Sequence, residues 1–149
     1  MKKVILGVVM ALTSLMSFGQ LQVLEKTPIT EIGKLKIGPY LMASIEYSKF
    51  DEEQNQYTIT LKNQRYQQIN VYETLSFYGN DETIKDLHKL ILSAFESNDI
   101  KSYEKTLQLG DELITIQGMK QLGVKSVYIH TSDSFIGLTE NQWNKVFGI

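Results

Sequence analysis

The chain has 149 residues, with 15 basic against 17 acidic side chains, a formal charge of −2 and no cysteine. That length suits one domain, and a slightly acidic balance with Arg65 as the sole arginine argues against a nucleic-acid partner, whose phosphates are met by Lys and Arg. Without cysteine there can be no disulfide, no thiolate nucleophile, no thiolate zinc site and no cysteine-borne lipid anchor.

Met1-Lys2-Lys3, an apolar run over residues 4–16, and Ser17-Phe18-Gly19 read as a secretory signal peptide over residues 1–19. The run is shorter than the ~20 apolar residues a span needs, and Ser17 and Gly19 supply the small residues of a cleavage site. Removing 19 of the 149 residues leaves 130, and losing Lys2 and Lys3 takes the formal charge from −2 to −4. The expectation is therefore an exported protein, periplasmic or extracellular, with no membrane span after cleavage.

Residues 20–39 carry Pro28, Gly33, Gly38 and Pro39 without sustained periodicity, and read as an N-terminal arm with one short strand. Residues 40–149 read as a single α+β domain. Leu41, Ala43, Ile45 and Tyr47 alternate with Met42, Ser44 and Glu46, Asp51 to Asn55 supply a turn, and Tyr57, Ile59 and Leu61 alternate again. The third strand puts Ile69, Val71, Leu75 and Phe77 on one side. Glu73 breaks that side, and a bulge, a strand edge or a partnered carboxylate would accommodate it.

Asn80 or Asp81 can cap a helix whose Ile84, Leu87, His88, Ile91, Ala94 and Phe95 form one stripe. Gly110-Asp111 then suits a type II′ hairpin that sets Leu107 opposite Ile114 and Thr106 opposite Thr115. A further strand turns Val127 and Ile129 inward and Ser126, Tyr128 and His130 outward. Thr139-Glu140-Asn141-Gln142 has the form of a capping box, with Leu138 placed to staple onto Trp143 of a short final helix. The order β-β-β-α-β-β-β-α predicts a mainly antiparallel sheet of about six strands with two helices on one face and the other face open to water.

Catalytic constellations are sparse. His88 sits in an apolar stripe and reads as a packed, hydrogen-bonded ring. His130 precedes Thr131-Ser132-Asp133-Ser134, which invites a small secreted hydrolase using His130 with Asp133 or Ser132 as the alternative reading. Contiguous residues seldom converge as a triad must, and a polar turn explains them as well. No His-Glu-x-x-His, paired-histidine spacing or calcium loop occurs, so neither metal nor other cofactor is expected.

The open face offers Tyr72, Tyr78, Tyr128, Asn70 and Gln117 among threonines and glutamines. Tyrosine combines a flat apolar body with a polar tip, which suits recognition. The leading expectation is a small exported, non-enzymatic binding or inhibitory module that meets a protein or glycan of the cell envelope or exterior through that face or a strand edge. Strand edges also allow self-association.

Overall fold

The computed structural model describes residues 27–149 except Gln67, so the leader over residues 1–19 and the start of the expected arm lie outside the described residues. The segment after Pro28 is longer than the short strand expected there. β1 (Ile29–Ile37) has nine residues and pairs antiparallel with β2 (Tyr40–Lys49) across the Gly38-Pro39 turn, where Gly38 has φ +59°. β3 (Asn55–Lys62) and β4 (Tyr72–Gly79) complete a four-stranded antiparallel sheet in the order β1-β2-β3-β4.

β4 begins later than the alternation predicts, because Gln68 and Ile69 form a bend, and Ile69 is exposed instead of facing inward. Glu73 pairs with Leu61 in an unbroken register, so no bulge absorbs it. Its carboxylate instead accepts a 2.6 Å hydrogen bond from the Thr131 hydroxyl. A charge facing the core is tolerable there because it is hydrogen-bonded.

α1 (Asp81–Glu96) starts where the sequence predicts: the Asn80 side chain accepts from the Thr83 amide at 3.1 Å, and Thr83 Oγ1 accepts from the Asn80 amide at 3.2 Å. The helix buries Ile84, Leu87, Ile91, Ala94 and Phe95. After a 3₁₀ turn (Ile100–Ser102), β5 (Glu104–Leu109), β6 (Glu112–Gln121), β7 (Val124–His130) and β8 (Phe135–Leu138) form a second four-stranded antiparallel sheet. Gly110 has φ +63° and the register is the one expected, with Thr106 and Thr115 joined across the strands at 3.0 Å. α2 (Glu140–Val146) closes the chain.

The architecture is thus α+β as expected, but with eight strands in two sheets instead of about six in one. Two helices side by side, each about 10 Å across, fall short of six strands, whose five spacings span about 24 Å. α2 has only seven residues. The sheets make up the deficit by turning their apolar faces onto one shared core, which runs from Ile45, Ile59 and Leu75 to Ile116, Ile129 and Ile136.

The helices cross between the units. α1 follows the first sheet yet packs on β6 and β7 as well as β4, while α2 follows the second sheet and packs on β1 and β2 as well as β7. Gly33 makes the second docking possible, since a Cβ there would come within 2.5 Å of the Lys145 carbonyl oxygen and the Gly148 nitrogen. His88 joins the helices as a packed residue: its Nε2 lies 2.8 Å from Asn144 Oδ1 and its ring meets Phe147 at 4.7 Å.

Candidate functional site at the seam between the sheets

The two sheets meet where the chain leaves β3. Asn63, 4% exposed, is held by four bonds: its amide donates to the Val71 carbonyl, its Nδ2 to the Asp133 carbonyl, its Oδ1 accepts from the Arg65 amide and its carbonyl from the Tyr66 amide. Gln64 then lies along the free edge of β8. Its backbone amide donates to the Phe135 carbonyl at 3.0 Å, its side-chain oxygen accepts from the Gly137 amide at 3.0 Å, and its side-chain nitrogen donates to the Gly137 carbonyl at 3.3 Å. One residue thereby satisfies an edge that would otherwise attract another strand.

Beside this seam, the outer face of the second sheet carries an aromatic pavement. Register places Thr115, His130 and Phe135 in one cross-strand row and Gln117, Tyr128 and Gly137 in the next. A Cβ built on Gly137 would lie 2.3–2.6 Å from Cζ, Cε1 and Cε2 of Tyr128. Near-equal distances to three ring atoms mean that the phenol lies face-down on the glycine, with its other face turned outward. The His130 ring lies beside it at 5.9 Å with only 22° between the planes, and Phe135 completes a triangle at 6.1 Å from Tyr128 and 5.8 Å from His130.

The pavement ends at a cleft of about 340 Å³ lined by Met42, Lys62, Gln64, Tyr66, Tyr128 and Phe135. Lys62 Nζ stands 5.0 Å from the centre of the Tyr40 ring, close enough for a cation–π attraction. At the far side, Gln117 Nε2 approaches Glu104 Oε2 at 3.5 Å. Burial holds the His130 imidazole below its ordinary pKa, because losing water disfavours the charged ring, and Glu104 pulls the other way.

The five residues expected to bind divide between surfaces. Tyr128 and Gln117 are direct partners on the pavement, and Tyr72 stands opposite Lys62 on β4. Tyr78 is six residues further along β4, about 20 Å away by strand geometry, where it pairs with the exposed Phe50 ring at 4.6 Å. Asn70 is exposed in the loop before β4. Phe135, Lys62, Gln64 and Gly137 are the participants that sequence reasoning misses. The alternation of Phe135 and Gly137 against Ile136 and Leu138 is the signal that could have found the strand carrying two of them.

His130, Ser132 and Asp133 are near in sequence but not assembled. Ser132 Oγ donates to Asp133 Oδ2 at 3.3 Å, both residues are exposed, and His130 Nε2 is buried with no hydrogen-bond partner. The turn itself is closed by Thr131, whose amide donates to the Ser134 carbonyl and whose hydroxyl oxygen accepts from the Ser134 amide. Among the described residues no three His, Asp or Glu side chains gather as a metal-holding group, and no helix is long and apolar enough to cross a membrane.

A second, acidic cleft of about 400 Å³ opens between the β2–β3 turn and the start of α1, lined by Asp51, Glu52, Glu53, Asp81 and Glu82 with Lys49 and Tyr47. Two of its carboxylates have structural work: Asp51 accepts from the amides of Glu53 and Gln54, and Asp81 accepts from the Tyr57 hydroxyl at 2.9 Å. Comparison of the chain with protein-family models, curated proteins and solved structures found no match.

Proposed function

We propose that this chain is a small exported, non-enzymatic binding module that recognises a protein or glycan of the cell envelope or exterior through the outer face of its second sheet. The observation that carries the reading is the Tyr128–His130–Phe135 pavement, with Tyr128 laid flat on Gly137. A ring held flat against a sheet has already lost its rotamer freedom, so stacking a partner on it costs little further ordering. Gln117 and Lys62 at its borders add polar groups that orient what stacks there.

The alternative of a small secreted hydrolase draws no support from the contacts of His130, because neither Ser132 nor Asp133 hydrogen-bonds to it. Self-association through the end strands is a separate reading for β1, β4 and β5, whereas the β8 edge is occupied by Gln64.

The test compares wild type with a Tyr128→Ala, Phe135→Ala double variant. Ligands are a polysaccharide panel, read by affinity electrophoresis, and envelope proteins captured on immobilised chain. Loss of retention or capture in the double variant, with its thermal melt unchanged, is expected. Equal retention and capture by both proteins would refute the pavement as the binding surface.

A further inference from the structure

We infer that the seam site takes an acidic polysaccharide, one pyranose stacked on the Tyr128–Phe135 pavement with its ring carboxylate at Lys62. This rests on the proposed binding function and names its ligand class.

Three features lead there. The three rings are inclined to one another by only 22–35°, and Tyr128, laid flat on Gly137, turns a π face outward. Such faces are electron-rich and attract the weakly positive C–H side of a sugar ring, which is itself nearly flat. A peptide segment has no comparable flat apolar face unless it brings an aromatic side chain.

Lys62 is the only ionised group lining the cleft. The ion pairs belong to Lys34, Lys85 and Lys89, so among the described residues no carboxylate pairs with the Lys62 ammonium. Its half-buried stem and position over Tyr40 hold the charge at the cleft wall.

Charge is also ordered across the face. Glu104 and Gln117 border the pavement on the side of β5 and β6, and Lys62 borders it beyond β8. An oligosaccharide lying across the strands matches that polarity in one orientation, with the carboxylate of one sugar accepting from Lys62 and hydroxyls of another donating toward Glu104, three strand spacings or about 14 Å from β8. A nucleic-acid strand would bring a phosphate for every base, and this face offers one cation.

The experiment is calorimetric titration of the full chain with oligogalacturonate, with the same oligomer after reduction of its carboxyl groups, and with poly-glutamate. Oligogalacturonate is expected to bind about ten- to a hundredfold more tightly than its reduced form, the range of one charge-assisted hydrogen bond. Lys62→Met should erase that preference, so that the two oligomers bind alike. Gly137→Ala, which must lift the Tyr128 ring, should weaken both sugars, and Tyr128→Leu should do the same without the added methyl group.

Equal affinity for the two oligomers would overturn the carboxylate assignment while leaving the pavement as a sugar site. Binding of poly-glutamate as tight as that of oligogalacturonate, untouched by Tyr128→Leu, would overturn it in favour of a general acidic partner. Failure of both sugars to bind, with envelope-protein capture still dependent on Tyr128 and Phe135, would overturn the sugar but keep the binding module.

Discussion

Trp143→Ala tests how the second helix is fixed to the rest of the molecule. Trp143 is 1% exposed, its Nε1 donates to the Val127 carbonyl at 3.0 Å, and the helix start ahead of it is closed by Gln142 Oε1 accepting from the Thr139 amide at 2.9 Å. Truncating a buried Trp to Ala costs about 3–5 kcal/mol. A buried carbonyl left without its donor adds about 1–3 kcal/mol. The sum, about 4–8 kcal/mol, is a large share of the roughly 6–20 kcal/mol expected for a chain of this length. The assay is urea denaturation followed by far-ultraviolet circular dichroism, because the substitution removes the only tryptophan and with it the fluorescence signal. A loss of about 4 kcal/mol should lower the midpoint by about 2 M. Trp143→Phe should fall between the two, since it keeps a ring but not the N–H. A change below about 0.5 kcal/mol in Trp143→Ala, the size usual for surface sites, would refute the account of how α2 docks.

Leu122 has φ +49° and is fully exposed at the β6–β7 turn, followed by Gly123 at φ +85°. The left-handed region costs an ordinary L-residue about 1–2 kcal/mol, and Asn-Gly is the favoured pair for a turn with two positive φ angles. Leu122→Asn should therefore raise unfolding stability by about 0.5–1 kcal/mol in the same urea assay; a loss of stability would contradict the strain argument. For His130, the folded ring is harder to protonate than the free one, whose ordinary pKa is 6.5. The unfolded chain then binds the proton first, so this contribution is intact above pH 6.5, declines as pH falls through that value, and levels off below the folded pKa. Subtracting the stability profile of His130→Gln from that of wild type should leave this slope, and a flat difference between about pH 7 and 5 would refute it.

The elements legible in the sequence are those whose signal is local. Asn80, Gly110 with Asp111, and Thr139 with Gln142 each specify a cap or turn within a few residues, and each stands where it is expected. β1 is hidden because Gly33, which looks like a loop residue, is demanded by the backbone of α2 more than a hundred residues later. β8 is hidden by its brevity, and Ile69 reads as inward because alternation carries no mark of where a strand begins. The division into two sheets rests on which strand lies next to which, a matter of long-range packing that no local pattern encodes. The candidate site shows the same limit: Tyr128 is legible as outward-facing, but its flat posture depends on Gly137 opposite, and its cation depends on Lys62 from the other sheet.

The crossing of the helices also governs how the molecule can be made. A nascent amino-terminal half would hold a four-stranded meander whose α1 has no β6 or β7 to lie against, and whose β1 still awaits α2. Neither half owns a complete interior, so the chain has no halfway house in which one part is finished while the rest is still being threaded. Assembly waits for the final helix, and a chain shortened by that much should collapse without settling.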